Sequence, residues 1–224
     1  MPKQRGGQAG DLAAALDHLR ADSAIFPLLE GVGPVSLGCR RAPSPLHSLA
    51  ASITGQQLSG RAADAIFARF LALYGGSLDP QAILDTPEDD LRAAGLSRAK
   101  AAAMHDLAEK TKSGLIPGWP GLRRMGDEDI IRLLTRVKGV GRWTVEMMLI
   151  FCLGRPDVWP VGDSAIRKAY GLLFGITDPE PAEMTERAEP WRPWRSVVAR
   201  YLWKSLDATE QPSPRRSRAA PQKK

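Results

Sequence analysis

The chain has 224 residues, 43% hydrophobic and 25% charged, which excludes a disordered or fibrous protein and suits one domain or two small ones around a buried core. No apolar run reaches the length of a membrane span, and the basic, Gly-rich N-terminus lacks a signal peptide's apolar core, so the expected location is cytoplasmic, with no membrane partner. Net charge is +6, but Arg215, Arg216, Arg218, Lys223 and Lys224 sit in the last ten residues and leave only +1 for the rest. The body is nearly neutral, and any general attraction to a polyanion resides in the tail.

In chain order, residues 1–10 are polar and Gly-rich and read as a disordered N-terminus. Residues 11–20 carry Leu12, Ala15, Leu16 and Leu19 at helical spacing. A loop rich in Gly and Pro follows Phe26-Pro27 and runs to Pro45. Helices are predicted over 46–58, through Leu46, Leu49, Ala50 and Ile53, and over 60–74, through Ala62, Ala65, Ile66, Phe70 and Leu73. Gly55-Gln56-Gln57-Leu58-Ser59 lies at their junction. Thr86-Pro87-Glu88-Asp89 is a helix start with acids in its first turn, and that helix stops at Gly95. Ser97 caps the next helix, which runs to about 112 and is followed by a loop over 117–121. Asp127 opens another. A last helix spans 191–207 with Trp194, Val197, Val198, Tyr201, Leu202 and Trp203, and residues 208–224 form a basic, disordered tail. No strand or hairpin signal appears. The predicted fold class is all-α, with about nine or ten helices.

Cys39 and Cys152 lack ligand spacing, and His18, His47 and His105 are scattered, so packing or surface roles are expected for all five, with no metal site.

Residues 134–170 are the richest stretch. A helix ends in Gly139-Val140-Gly141, an apolar helix runs from Arg142 to Gly154, and an extended segment delivers Asp163 to a third helix. Two glycines before a helix let main-chain N–H groups face an anion such as a phosphate. Gly-x-Gly alone is an ordinary turn. Here Val137 and Lys138 lead in and Arg142, Trp143, Thr144 and Val145 follow, which completes a helix–hairpin–helix pattern for holding a DNA backbone. Residues 91–107 form a weaker version. An isolated Asp163 would be a plain N-cap; beside a phosphate grip it is a candidate for chemistry on nucleic acid.

Five ordered segments spanning about 45–205 resemble the DNA-3-methyladenine glycosylase II family of helix–hairpin–helix base-excision glycosylases. They are Ile53–Ser59 with Ala62-Ala63, Gly95–Ala101, Lys138–Thr144, Asp157–Arg167 and Trp191–Ser196. The resemblance implies a two-lobed helical protein with its active site in the cleft between lobes. Residues 46–155 would form the helix–hairpin–helix lobe, and residues 11–45 plus 156–207 the lobe carrying the catalytic aspartate, Asp163. Trp143, Trp203 and Met147 would line the base pocket. Gly139, Val140, Gly141, Arg142 and Thr144 would hold the DNA backbone, and Gln57 and Leu58 would plug the gap left by a flipped nucleotide. The carbonyls of Thr135, Val137 and Val140 would hold a structural Na+ or K+, with no other cofactor required.

The implied reaction is hydrolytic release of alkylated bases, 3-methyladenine and 7-methylguanine among them, from double-stranded DNA by a monomer that is nucleoid-associated if bacterial. A cationic alkylated base leaves readily and is drawn to indole faces. An ionised Asp163 would stabilise the oxocarbenium-like sugar and position the attacking water. Trp159, Trp191 and Trp194 read as core. Bifunctional relatives carry a lysine where this chain has Trp143, so no lyase activity is expected, and two cysteines exclude the four-cysteine iron–sulfur cluster. The extra N-terminal β-rich lobe of longer members is missing, and Met147 replaces an aromatic residue of some members, which leaves the accepted bases open. The alternatives are the same scaffold acting on oxidised or deaminated bases, and a non-catalytic DNA-structure-binding protein.

Overall fold

The structure, a computed structural model, describes residues 7–39 and 42–210. Among these residues every regular element is helical. The chain divides into two compact units, Met1–Leu37 with Trp159–Lys224 and Gly38–Val158. These boundaries lie near, and not at, the 45 and 155 read from sequence. The segment after Leu37 belongs with the central unit because Trp119 donates its indole N–H to Ala42 O at 3.0 Å and Cys39 Sγ packs where a side chain on Gly154 would sit.

The first unit begins with α1 (Gly7–Leu19) and α2 (Phe26–Val32). The helix therefore starts at Gly7, inside the stretch expected to be disordered; residues 1–6 lie outside the described residues. The central unit contains α3 (Pro45–Gly55), α4 (Gly60–Ala72), α5 (Pro80–Asp85), α6 (Glu88–Ala93), α7 (Arg98–Lys112), α8 (Trp119–Arg123), α9 (Asp127–Leu134) and α10 (Arg142–Met148), which runs on as a π turn over Leu149–Leu153. The first unit then resumes with α11 (Ser164–Phe174), α12 (Pro181–Arg187), a 3-10 turn at Glu189–Trp191 and α13 (Arg195–Glu210). The basic tail beyond 210 lies outside the described residues.

Side-chain caps start α7 and α11 as predicted, but not α6, where Pro87 takes the N-cap position and Thr86 Oγ1 donates to Ala82 O at 2.7 Å. Ser97 accepts from Lys100 N–H at 3.3 Å and Asp163 from Ile166 N–H at 2.8 Å. α2, α5, α8 and α12 are additions to the predicted set, and α2 and α8 replace predicted loops. Each carries a proline in its first two positions and spans five to seven residues. Proline there is preorganised for a helix, and so few residues carry no readable period. The last helix starts at Arg195 because the segment before it is a 3-10 turn.

Each unit has its own core. In the first, Ala15, Leu19, Leu29, Ile166, Tyr170, Val198 and Leu202 are buried with Trp159 and Trp191. The two indoles meet edge to face at 5.3 Å. Their N–H groups are satisfied by Met184 O at 3.1 Å and Asp22 Oδ2 at 2.8 Å, so both serve as core, with Trp194 packed against them. In the central unit Leu49, Ile53, Phe70, Met104, Leu107, Leu134, Val145 and Leu149 are buried, and each such side chain contributes about 1.5–3 kcal/mol of burial.

Candidate functional site

The central unit supplies the hairpin. α9 ends at Leu134, and tight bonds carry the chain round: Val137 N–H to Leu134 O at 3.1 Å and Val140 N–H to Val137 O at 3.0 Å. The two glycines have different reasons to be there. Gly139 takes φ +74°, a left-handed conformation that favours glycine. Gly141, the N-cap of α10, has ordinary extended angles and open space where a Cβ would project. Its missing side chain matters only to something approaching from outside.

Of the other expected backbone contacts, Val140 is buried and offers main chain only. The Arg142 guanidinium is committed to Glu128, at 2.5 and 3.1 Å, and to Glu146 at 2.9 Å. These ion pairs form because α9 places Glu128 opposite the start of α10, and Arg142 keeps its side chain 56% exposed. Its N–H remains at the helix start, where no intrahelical acceptor exists. Thr144 is buried as well, and its side chain lines a groove.

That groove has a volume of about 700 Å³ and lies wholly within the central unit. Trp143, 47% exposed, and Met147 line it. Gln57 and Leu58 form its rim. Leu58 is 39% exposed, a large apolar side chain left in water. Gln57 has φ +59°, a conformation non-glycine residues seldom hold.

Ser52, Gly55, Gln56 and Phe151, not anticipated as site residues from sequence, complete the groove. Phe151 is four residues beyond Met147 and eight beyond Trp143, a spacing that could have flagged it. In an α-helix every fourth residue drifts about 40° round the axis. The wider π turn at Leu149–Leu153 counters that drift and keeps Phe151 on the face of Trp143. An aromatic ring therefore lines the groove one turn after the methionine.

The first unit supplies the acid. Asp163, 7% exposed, is the N-cap of α11. Its Oδ1 accepts from Ile166 N–H at 2.8 Å and from Trp203 Nε1–H at 3.1 Å. Trp203 comes from α13, forty residues on, and its indole N–H holds the carboxylate. Two donors from two helices fix one buried acid.

The histidines and cysteines make local contacts. His18 contacts Pro190 O at 2.8 Å, His105 contacts Thr86 O at 3.0 Å, and His47 packs against Phe67. Burial pushes the His47 pKa down. Cys152 Sγ lies 3.4 Å from Ser48 Oγ, and both cysteines are unbridged. Among the described residues no group of three or more His, Cys, Asp or Glu could hold a metal ion, and no helix is long and apolar enough to cross a membrane.

The chain is similar to known proteins in sequence and in fold. The description "HhH-GPD superfamily base excision DNA repair protein" matches residues 50–193. DNA-3-methyladenine glycosylase 1 of Schizosaccharomyces pombe is 38% identical over 173 residues, 76% of each chain. A solved structure of the 3-methyladenine DNA glycosylase from that yeast, in complex with abasic DNA, aligns with TM-score 0.75 at 36% identity, covering 87% of this chain and 97% of the other. A DNA-3-methyladenine glycosidase from Bacillus halodurans aligns with TM-score 0.78 at 33% identity, covering 88% and 91%.

Proposed function

Because the chain belongs to the HhH-GPD superfamily of base excision DNA repair proteins, we propose that it is a DNA glycosylase that hydrolyses the N-glycosidic bond of alkylated bases in duplex DNA, acting as a monomer. The substrates are 3-methyladenine, 7-methylguanine and related cationic bases. The observation that carries the reading is the Asp163 carboxylate, buried at a helix N-terminus and held by Trp203 and the Ile166 N–H. A buried acid with this support is preorganised to stabilise developing positive charge.

The chemistry needs only water. The hairpin N–H groups from Gly141 onward grip the phosphates, while Gln57 and Leu58 fill the gap left by the flipped nucleotide. Trp143 offers an electron-rich face to a cationic base, with Met147 and Phe151 beside it in the groove. As the C1′–N bond breaks, the base takes the electron pair and leaves neutral. Asp163 stabilises the sugar cation, and water adds at C1′ and releases its proton to solvent. The carbonyls of Thr135, Val137 and Val140 are neutral oxygens, and Val137 O already accepts one hydrogen bond. Such a donor set suits a weakly charged Na+ or K+, which would stiffen the hairpin.

The test is incubation with methylated duplex DNA and detection of free bases by mass spectrometry. Released 3-methyladenine and 7-methylguanine are expected; release of 8-oxoguanine or uracil instead would move the enzyme to another lesion class, and no release at all would leave a DNA binder. By the family resemblance, Trp143 stands at the position where bifunctional relatives carry a lysine nucleophile. Borohydride added to the same reaction is therefore expected to trap no covalent complex, and a trapped complex would assign lyase activity.

A further prediction concerns the tail. Removing residues 211–224 deletes five cations, and every phosphate those cations neutralise adds about 0.9 to the salt slope of binding. Without them, binding to intact duplex should become less salt-dependent, while single-turnover release at saturating enzyme stays nearly unchanged. Loss of release at saturation would make the tail more than a tether.

A further inference from the structure

Three contacts along one face of α7 converge on the plug turn and the hairpin. Lys100 Nζ donates to Thr54 O at 2.7 Å and to Gln56 O at 2.8 Å. These carbonyls close α3, where helix geometry leaves acceptors unpaired and a cation is favoured. One turn along, Ala103 lies 3.5 Å from where a Cβ on Gly139 would sit. One turn further, Asp106 Oδ2 accepts from Lys138 N–H at 2.8 Å, while its Oδ1 holds Lys110 Nζ at 2.5 Å. Burial raises the Asp106 carboxyl pKa, but Lys110 and the Lys138 N–H outweigh that and hold it below the ordinary value. Finally Gln56 Nε2 donates to Gly139 O at 2.7 Å, joining turn and hairpin directly across 83 positions of chain.

We propose that Lys100 is a positioning residue that, with Gln56, locks the plug turn to the phosphate-gripping hairpin. α7 then acts as a rigid spacer between grip and plug. The arrangement explains how Gln57 keeps its unfavourable φ: the residue before it is held through its carbonyl by Lys100 and through its side chain by Gly139. It also accounts for a lysine whose ammonium, half-buried on two neutral carbonyls, is spent inside the protein. Burial pushes its pKa below the usual lysine value. A phosphate caught by the hairpin thereby sets where Gln57 and Leu58 enter the duplex. The inference rests on the glycosylase reading, because only an enzyme that opens the base stack needs grip and plug in register.

The test uses the full chain and two duplexes that differ only in one tetrahydrofuran abasic analogue, with affinities read by fluorescence anisotropy. Wild-type protein should prefer the abasic duplex. Lys100→Met removes both charged hydrogen bonds and should cut that preference about tenfold or more. Its affinity for intact duplex should stay within about twofold, a difference far below one charged hydrogen bond. Lys100→Arg should recover part of the preference. Full preference retained in Lys100→Met, or equal weakening toward both duplexes, overturns the proposal. If Lys100→Met does not fold, Gln56→Ala carries the same test, since its bond to Gly139 lies outside the core; unchanged preference there is equally fatal. A wild-type protein without any preference overturns the glycosylase reading itself, and this inference with it.

Discussion

Asp163→Asn is expected to reduce single-turnover base release by about 10²–10³-fold or more, the scale of losing one preorganised electrostatic partner of the transition state. The substitution isolates charge from architecture. Asparagine presents an Oδ1 that can still accept from Ile166 N–H and Trp203 Nε1–H, so the cap of α11 and the link to α13 survive. Stability and damaged-DNA affinity should change little, and circular dichroism and anisotropy check both. Asp163→Ala is the cruder variant. It also orphans two donors, and loss of an N-cap alone costs about 0.5–2 kcal/mol. If Asp163→Asn released bases at the wild-type rate, the carboxylate would be a cap and nothing more.

Trp143→Ala is expected to slow release of a cationic base by about 5–150-fold, the equivalent of a stacking contact worth about 1–3 kcal/mol. Global stability should move by no more than about 0.5 kcal/mol, because the indole is 47% exposed. This split between activity and stability separates a ligand-facing aromatic from a core one. Trp191, 1% exposed and bonded to Asp22, should show the reverse, with stability falling first. Trp143→Phe keeps a π face and should retain more activity on cationic 7-methylguanine than Trp143→Ala. Equal release by all three forms would remove Trp143 from base recognition.

The tryptophans also show how far a linear reading reaches. Trp143 and Trp203 carry pocket roles only through the family resemblance, whereas Trp159 and Trp191 read as core and are buried. The indole N–H of Trp203 also holds Asp163. That partnership depends on how α13 packs against α11. Short helices escaped detection for a different reason. In α2, α5, α8 and α12 a proline near the start looks like loop punctuation, while five to seven residues are too few for a period to emerge.

What the chain determines by itself is local: helix caps, the glycine turn, the order of segments and the placing of Asp163 at a helix tip. These depend on neighbours within about one helical turn, so residue identities suffice. Side-chain commitments were decided only by tertiary structure. Arg142 pairs with Glu128 and Glu146, and Thr144 faces a groove. Phe151 joins Trp143 through a π turn, and Gln56 reaches Gly139. Each needs a partner brought close by packing or a helix geometry that spacing does not encode. The hairpin and the acid can be read along the chain; what holds each of them in place is set by the folded helices around it.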